Sequence, residues 1–394
     1  MLVSDYILKF LKQKKVYNVF LITGGAIAFI VDAFSRVKKI KYTCVAHEQA
    51  AAMMADSYSR LGHRWGATMT TSGPGATNLI TGIACSWFDS VPTIHITGQV
   101  NDYETSGYHP YTKKVRQVGF QETDIVSMVK PITKFAYRVK NENEIPYILE
   151  KAYYISQSGR PGPVLIDIPM NFQRKKIGLK KIKKFKINLK NNSSKIIKSK
   201  INFFTKKLKN FKRPVLIVGG GIRISDQESE LKKFIKKFDV PIVSTWSGKD
   251  AIDNYHNNYI GCIGVYGSRA ANFAVQNSDF ILNLGSRLDT RVTGGVPKNF
   301  ARHAFKTSVD IDLNELRKKR GLNNNLIINS SLEDFFKIYL KNFNKNFIGN
   351  VENWKKRCVF WREKYPVILN SYFKEKNYVN PYVLMHHINN LSIE

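Results

Sequence analysis

A glutamate at the start of a predicted helix is the first candidate for chemistry. In Ala46-His47-Glu48-Gln49, a predicted strand gives way to a helix of small residues. A carboxylate that enters a run of Ala and Met loses part of its hydration, so it needs a partner that shares a proton or donates a hydrogen bond. The alternative is an acidic residue in the first helical turn, where the helix dipole favours negative charge. This segment alone leaves both interpretations open.

A glycine-rich turn of eight residues follows the next predicted strand. It reads Thr71-Ser72-Gly73-Pro74-Gly75-Ala76-Thr77-Asn78. Its glycines and proline predict a tight turn into a helix, which a ligand can approach without meeting side chains. The turn lacks the Gly-Lys-Ser/Thr ending of a P-loop and the glycine spacing of a dinucleotide fingerprint. It therefore indicates a ligand site of another kind.

The elements that position these residues alternate between short apolar runs and helical patterns. Ser4 is expected to cap a first helix over residues 5–14, and Asn380-Pro381 is expected to open a last one. Strands are predicted over residues 16–23, 40–45, 65–70, 93–97, 164–168, 214–218, 241–244, 280–284 and 307–311. This alternation predicts an α/β fold with two parallel sheets, each covered by helices.

The 394-residue chain has a formal net charge of +32, and much of it lies in one segment. Residues 174–213 contain 17 Lys or Arg and no Asp or Glu, which is more than half of the net charge. A solvated basic linker explains this run, and a nucleic acid or another anionic partner is the alternative. We predict a linker and no nucleic-acid partner. We also predict no membrane partner, because no apolar run reaches the ~18–20 residues of a membrane span.

Composition divides the chain into four parts. We predict a first domain over residues 1–173, a basic linker over 174–204, a central domain over 205–345, and a connecting segment over 346–394 that ends in the first helix of a further domain. Because the chain ends within that helix, we interpret it as part of a longer protein. Four scattered cysteines and an N-terminus without signal-peptide features predict a reduced, cytoplasmic location.

The two chemical segments belong to a longer series of motifs. In the first part these are His47-Glu48-Gln49, Thr71 to Asn78, Asp89-Ser90-Val91-Pro92, Gly98-Gln99-Val100, Phe120-Gln121-Glu122-Thr123-Asp124 and Gly159-Arg160-Pro161-Gly162-Pro163. In the middle part they are residues 270–275, Gly285-Ser286-Arg287-Leu288-Asp289 and Arg291-Val292-Thr293-Gly294. In this order the sequence resembles the thiamine-diphosphate enzymes, and among them the acetolactate synthase (acetohydroxyacid synthase) large subunit, over essentially the whole chain. The resemblance identifies the first domain as the pyrimidine-binding domain.

The resemblance gives Glu48 a specific role. In this family that carboxylate hydrogen-bonds N1′ of the cofactor's aminopyrimidine ring and promotes the imino tautomer, which takes the proton from C2 of the thiazolium ring. The resemblance also implies that Phe120 and Gln121 contact the substrate, with Gln121 as a catalytic residue. Packing and loop hydrogen bonding are the alternative roles for both. The residues expected to line the same cofactor cleft are Gly24, Gly25, Ala26, Ser72, Pro74 and Asn78.

The resemblance implies a second ligand in the central domain, since acetolactate synthases carry FAD there in a structural role. The matching positions are Gly219, Gly220, Gly221, Arg287 and Asp310. Glycine-rich backbone suits the phosphates of a dinucleotide, and a carboxylate after a strand suits a ribose. Many relatives keep this domain without flavin, so the sequence leaves FAD open. Arg291 matches the arginine that selects the second 2-oxo acid, which makes it a predicted substrate-binding residue.

Three places depart from the acetolactate synthase pattern, and one of them is Arg287-Leu288-Asp289-Thr290-Arg291, where the family usually has Arg-Phe-Asp-Asp-Arg. Met170 follows Asp167-Ile168-Pro169, where the family typically has a lysine that faces the substrate channel. A neutral thioether does not attract a 2-oxo acid carboxylate as an ammonium group does. Val265 replaces a methionine near the mouth of the site. These departures indicate either a divergent synthase or a relative that uses another 2-oxo acid.

The predicted function is thiamine-diphosphate-dependent decarboxylation of pyruvate and transfer of the two-carbon unit to a second 2-oxo acid, as in branched-chain amino-acid biosynthesis. The alternatives are a related lyase or carboligase acting on a different 2-oxo acid, and a non-catalytic binding protein on the same scaffold. These 394 residues contain no Gly-Asp-Gly followed by Asn, the motif that would hold Mg²⁺ and the diphosphate, so this chain alone is expected to be inactive. The resemblance further implies a homodimer or tetramer that shares the cofactor site between subunits, and it leaves a small regulatory subunit open.

Overall fold

The computed structural model describes residues 1–62, 64–178, 185, 194–318, 320–342 and 349–391. In it the chain forms two compact units, Met1–Lys190 and Asn191–Glu394. Each unit contains a six-stranded sheet in which neighbouring strands are parallel. The predicted class, α/β with two helix-covered parallel sheets, is confirmed.

The sheet of the first unit has the spatial order β2-β1-β3-β4-β6-β5. Its strands are β1 (Asn18–Leu21), β2 (Lys41–Cys44), β3 (Gly66–Thr70), β4 (Thr93–Gln99), β5 (Phe135–Arg138) and β6 (Val164–Pro169). Its helices are α1 (Val3–Gln13), α2 (Ala28–Asp32), α3 (Glu48–Gly62), α4 (Pro74–Thr77), α5 (Ile80–Asp89), α6 (Ile125–Val129), α7 (Ile145–Gln157) and α8 (Met170–Gln173). Because β1 lies between β2 and β3, the strand order reverses there, and the carboxyl ends of β1 and β3 border a crevice.

The two faces of this sheet differ in polarity. The face toward α1 and α7 is apolar and contributes Met69, Ile96 and Ile166 to the core. The other face carries Leu165, but it also carries a row of buried polar side chains on β3, β4 and β6. His95 is the centre of this row, with its ring nitrogens 2.9 Å from the hydroxyls of Thr68 and Thr93. Burial lowers the pKa of His95 from 6.5 to about 3, so the ring is neutral in the folded protein at physiological pH.

The sheet of the second unit has the order β12-β11-β10-β7-β8-β9. Its strands are β7 (Pro214–Val218), β8 (Ile242–Ser244), β9 (Tyr259–Cys262), β10 (Phe280–Leu284), β11 (Phe305–Asp310) and β12 (Leu326–Asn329). Its helices are α9 (Ser194–Leu208), α10 (Gly221–Ile224), α11 (Glu228–Lys237), α12 (Arg269–Gln276), α13 (Thr290–Thr293), α14 (Leu313–Arg317), α15 (Leu332–Asn342), α16 (Glu352–Lys364) and α17 (Pro381–Leu391). Apolar side chains fill both faces of the sheet, as the continuous apolar strands predict.

Most predicted elements are present, with specific differences. Strands β7 and β10 have the predicted bounds, whereas β5, β9 and β12 were not predicted. The predicted cap at Ser4 is wrong, because α1 begins at Val3 and Ser4 is buried within it. The predicted cap at Asn380 is confirmed, since its side-chain oxygen accepts a hydrogen bond from the Tyr382 amide at 3.0 Å.

The predicted linker over 174–204 lies partly outside the described residues, which omit 179–184 and 186–193. Where the chain is described again, α9 begins at Ser194 and buries Ile197, Ile201 and Phe204 in the core of the second unit. The last part of the predicted linker therefore belongs to a packed helix, because its apolar residues recur at helical spacing within the lysines. None of the described helices has the length and apolar character needed to cross a membrane.

Candidate functional site

The candidate site lies at the carboxyl ends of β1 and β3, where the strand order of the first sheet reverses. Open parallel sheets bind ligands in the crevice at such a point. The glycine segment after β1 meets the turn after β3 here. The amide of Ala26 donates to Thr71 Oγ1 at 3.2 Å, and a Cβ added at Gly24 would lie 2.5 Å from Thr71 Cβ. Only glycine at position 24 allows the two loops to approach this closely.

Glu48 is held at the same place by the turn after β3. It is 9% exposed, and its Oε2 accepts a hydrogen bond from Asn78 Nδ2 at 2.8 Å. A Cβ added at Gly75 would lie 3.4 Å from Glu48 Oε1 and 2.8 Å from Thr71 Cγ2. Within the described residues Oε1 accepts no hydrogen bond, so one carboxylate oxygen is fixed while the other remains available to a ligand.

The remaining predicted residues of this cleft lie along the same two loops. Gly25 is exposed, and a Cβ added to it would meet nothing within 4 Å, so the crevice is open beside it. Ser72 is buried, while Pro74 is exposed and begins α4. The structure thus brings Gly24, Ala26, Glu48 and Asn78 together around Thr71.

Gln121 reaches this turn from a different part of the chain. A Cβ added at Gly73 would lie 2.7 Å from Gln121 Cβ. The backbone of Gly73 therefore packs directly against the loop that contains Gln121. Gly73 has φ +61° and Gln121 also has φ +61°, a conformation that is uncommon for a residue with a side chain. The neighbouring Phe120 is 85% exposed. Of the two predicted substrate residues, Gln121 therefore lies against the predicted cofactor turn, and Phe120 is exposed beside it.

Two functional contacts were missed at the sequence level. Thr71 bridges the two loops, and no pattern in the sequence distinguishes it from its neighbours in the turn. Gln173, fully buried on α8, donates through Nε2 to the carbonyls of Ala26 at 2.7 Å and Ile168 at 3.0 Å. A buried glutamine directly after a strand was the available signal, but its partner lies at a distant position in the sequence.

The glycines predicted for FAD in the second unit pack against the protein itself. A Cβ added at Gly219 would lie 2.3 Å from the Gly285 carbonyl oxygen, and one at Gly220 would lie 2.9 Å from the Ser247 carbonyl oxygen. The amide of Gly221 donates to the Gly285 carbonyl at 2.9 Å. At the carboxyl ends of β7 and β10, where this sheet reverses its order, the two loops thus contact each other directly. The glycines are required by this packing whether or not a dinucleotide binds.

Arg287 and Asp310 line one small cavity together with residues of α14. Its volume is about 10 Å³, enough for about one water molecule. The Arg287 guanidinium is 3.5 Å from Asp289, and Asp310 Oδ1 accepts from the Asp312 amide at 2.9 Å. The structure therefore brings these two predicted residues together at one cavity.

Arg291 lies on a separate exposed surface of the second unit. Its guanidinium carbon is 6.0 Å from the Trp246 ring centroid, within reach of a cation–π contact. The Arg291 carbonyl accepts a hydrogen bond from the Val265 amide at 2.8 Å. The two positions that the resemblance places near the substrate therefore adjoin each other. Trp246, 64% exposed, is a further member of this surface that the sequence did not indicate.

Comparison with known families matches both units. The description "Thiamine pyrophosphate enzyme, N-terminal TPP binding domain" matches residues 1–128, and "Thiamine pyrophosphate enzyme, central domain" matches residues 201–331. The chain belongs to the thiamine pyrophosphate enzymes. The first match contains Gly24, Glu48, Asn78 and Gln121 of the candidate site of this family member.

Relatives of this thiamine pyrophosphate enzyme are acetolactate synthase large subunits. The chain is 36% identical over 374 residues to that of Cyanidium caldarium, which covers 91% of this chain and 61% of the relative. It is 36% identical over 317 residues to that of Lactococcus lactis subsp. lactis (strain IL1403), covering 80% and 53%, and 34% identical over 384 residues to that of Pyropia yezoensis, covering 96% and 62%. The chain thus spans between half and two thirds of the length of these relatives.

Proposed function

We propose that this chain provides the aminopyrimidine half of a thiamine diphosphate site in an acetolactate synthase-like enzyme. The reaction is decarboxylation of pyruvate and joining of the remaining two-carbon unit to a second 2-oxo acid. When bound, thiamine diphosphate supplies the carbon nucleophile and accepts the electron pair left by CO₂. The observation that carries the proposal is Glu48, a buried carboxylate with one oxygen held by Asn78 and the other available at the crevice between β1 and β3.

The crevice suits a flat ring. Its walls are backbone at Gly24 and Gly75, where a side chain would collide with Thr71, and the space beside Gly25 is open. A planar ligand can approach such walls closely enough to hydrogen-bond a carboxylate without displacing protein atoms. The residues present therefore fit the aminopyrimidine ring of the cofactor.

Glu48 holds or gives up a proton at a defined atom. Asn78 Nδ2 is a donor, so Glu48 Oε2 acts as the acceptor and the proton shared with the ring belongs to Oε1. General acid–base exchange of this kind contributes about 10²- to 10⁴-fold to rate. Phe120 and Gln121 are proposed to contact the 2-oxo acid, and Gln121, which packs against Gly73 of the turn, is proposed as the catalytic one of the two.

Replacing Glu48 by Gln in the full-length protein tests this proposal. We expect proton–deuterium exchange at C2 of the bound cofactor to fall about 10²-fold or more, while the fold and much of the cofactor affinity are retained. The matched control is Glu150→Gln, which removes a carboxylate on α7 that pairs with Lys14. It should leave proton–deuterium exchange at C2 unchanged. Exchange as fast in Glu48→Gln as in the unmodified protein would exclude the assigned role.

Other cofactors enter this proposal in different ways. The described residues include no group of three His, Cys, Asp or Glu side chains that could hold a metal ion, so we assign Mg²⁺ and the diphosphate to no residue of this chain. FAD at the predicted positions of the second unit stays a prediction from the resemblance, because packing alone already explains the glycines there. Flavin absorbance in the purified full-length protein would test it. Shared-site assembly, a regulatory subunit and a cytoplasmic location stay predictions from the resemblance.

A second candidate function is favoured by Met170. It is the first residue of α8, directly after β6, and its side chain is half-buried. Without an ammonium group there, the site loses the charge that favours pyruvate in the resembled family. A related carboligase that uses another 2-oxo acid is therefore the second candidate, and comparing kcat/KM for pyruvate with that for other 2-oxo acids distinguishes the two.

A further inference from the structure

A buried carboxylate on β6 has no role in the proposed chemistry. Asp167 is 0% exposed and accepts hydrogen bonds from Thr97 Oγ1 at 2.7 Å, Gln99 Nε2 at 3.0 Å and Arg138 Nε at 3.0 Å. Thr97 on β4 and Arg138 on β5 are its direct neighbours in the register of the sheet. Burial raises the pKa of Asp167, and Arg138 with the three hydrogen bonds opposes that rise. Such a satisfied buried charge fixes the directions of its partners.

The two long partners of Asp167 converge on a single atom. Gln99 Nε2 donates to the Thr123 carbonyl oxygen at 2.8 Å, and Arg138 Nη2 donates to the same oxygen at 3.1 Å. Thr123 lies two residues after Gln121. The carboxylate of Asp167 therefore orients two donors that together hold the end of the Gln121 segment.

The beginning of this segment is held as well. The Gly119 amide donates to the Glu104 carbonyl at 2.8 Å, and a Cβ added at Gly119 would lie 2.9 Å from Val100 Cβ. Between these two anchors the chain passes through Gln121 in its left-handed conformation. A residue with a side chain keeps such a conformation only when its surroundings determine it.

Packing alone does not hold the segment from its outer side. A cavity of about 320 Å³ lies there, lined by Ser106, Arg116, Glu122, Asp124, Val126 and Arg138. On this side, hydrogen bonds hold the segment. Glu122 adds to them by accepting from the Val118 amide at 2.9 Å and the Ser106 amide at 2.6 Å.

We propose that Asp167, Gln99 and Arg138 form a positioning set that holds Phe120 and Gln121 against the cofactor turn, and through them sets how the 2-oxo acid is bound. The inference rests on the proposed function, because it takes Phe120 and Gln121 as the substrate-contacting residues. The three members act through Thr123 and touch neither cofactor nor substrate. They are positioning residues.

The test uses Arg138→Met, which keeps the apolar stem of the side chain on β5 but removes both of its hydrogen bonds. Arg60→Met is the matched control, because it removes a comparable pair of ion contacts, to Asp56 and Asp89, away from Thr123. In this chain we expect amide hydrogen exchange over residues 118–124 to accelerate about tenfold or more in Arg138→Met, as loss of hydrogen bonds to a charged group predicts. Arg60→Met should leave that segment unchanged.

The full-length enzyme supplies the second readout. In Arg138→Met we expect kcat/KM for the 2-oxo acid to fall about tenfold or more through displaced substrate contacts, with the affinity for thiamine diphosphate unchanged. Asp167→Asn should act in the same direction if it folds. Unchanged exchange over 118–124 in Arg138→Met would overturn the positioning role. Faster exchange in a full-length protein that shows no thiamine diphosphate-dependent activity would uphold the positioning set while rejecting the proposed function.

Discussion

At the scale of single residues, Met170 is the departure with the clearest consequence. It begins α8 directly after β6, two strands away from the β1–β3 crevice in the sheet order. Its half-buried side chain has two interpretations. Either it replaces a charge that would attract an anionic substrate, or it packs beneath the end of the strand. The two interpretations predict opposite results for a lysine at this position.

For the full-length enzyme we predict that Met170→Lys increases kcat/KM for pyruvate several-fold. A partly screened charge contact contributes on the order of 1 kcal/mol, and the gain should shrink as salt rises because the Debye length is ~10 Å at about 0.1 M. Kinetics at low and high salt, together with thermal unfolding, measure both effects. Met128→Lys on α6 is the control, since Met128 is exposed. A destabilised Met170→Lys protein without kinetic gain would show that Met170 is a packing residue.

His95 provides a prediction about pH. Burial lowers its pKa in the folded state from 6.5 to about 3, so between these values the unfolded chain binds a proton that the folded chain does not. The contribution of His95 to the free energy of unfolding is therefore present above pH 6.5 and is lost as the pH falls toward 3. At pH 5 the free energy of unfolding is lower by about 2 kcal/mol than at pH 7 for this reason. Urea unfolding at both pH values should show the loss, and His95→Gln should remove most of the difference even if it lowers stability at pH 7.

The control for that experiment is His303→Gln, at an exposed position in the second unit. It should leave the pH dependence of unfolding as it is in the unmodified protein. An equal loss of stability between pH 7 and pH 5 in His95→Gln and in the unmodified protein would mean that other groups dominate the acid sensitivity.

At the scale of elements, the turn between β3 and α4 determines the geometry of the site. Gly73 has φ +61° and lies against Gln121, whereas Gly107 has φ +83° with nothing within 4 Å of an added Cβ. An alanine at either position bears the cost of a positive φ, on the order of 1–3 kcal/mol. Only at position 73 must the Gln121 loop also move.

We therefore predict that Gly73→Ala destabilises the protein more than Gly107→Ala and that it alone weakens thiamine diphosphate binding. Urea unfolding gives the first comparison, and titration of the full-length protein with the cofactor gives the second. If both variants bind the cofactor equally well, contact between Gly73 and Gln121 is not needed for the site.

The same elements show how far the sequence could predict the structure. Apolar strands bounded by turns, such as β7 and β10, were predicted because burial on both faces leaves a continuous apolar signal. β5 was missed, since its sequence Phe135–Arg138 includes Arg138 and all four residues are only half-buried at the sheet edge. Edge strands carry weaker apolar signals, so pattern alone does not identify them.

The candidate site, too, could be predicted from the sequence only in part. Glu48 and the Thr71–Asn78 turn could be predicted because special residue types occur together at an element boundary. The link from Asp167 through Gln99 and Arg138 to Thr123 could not, because it joins positions far apart in the chain through side-chain hydrogen bonds. The only signal was an aspartate within the apolar run Val164–Pro169, which indicates a buried charge but not its partner.

At the scale of the whole molecule, positive charge is the dominant feature. The net charge is +32, and 17 Lys or Arg without an acidic residue lie between 174 and 213. Part of that run forms α9, whose lysines surround a buried apolar stripe. A folded helix needs those lysines only as a polar face, which favours a structural explanation of the charge over recruitment of a polyanion.

The remaining lysines of the predicted linker give the last prediction. Lys180, Lys181, Lys183 and Lys184 lie outside the described residues. Replacing all four by Gln should leave the activity of the full-length enzyme unchanged, and it should alter stability by at most ~0.5 kcal/mol for each replacement. Binding to DNA in low salt should weaken only as much as in a control with Lys9, Lys38, Lys41 and Lys140 replaced by Gln, four exposed lysines of the first unit. Both variants lose four positive charges, and non-specific attraction to a polyanion depends on the number of phosphate contacts neutralised. Titration with duplex DNA at several salt concentrations measures this. A tight, salt-sensitive complex that is lost in the linker variant and kept in the control would show that the basic run binds nucleic acid.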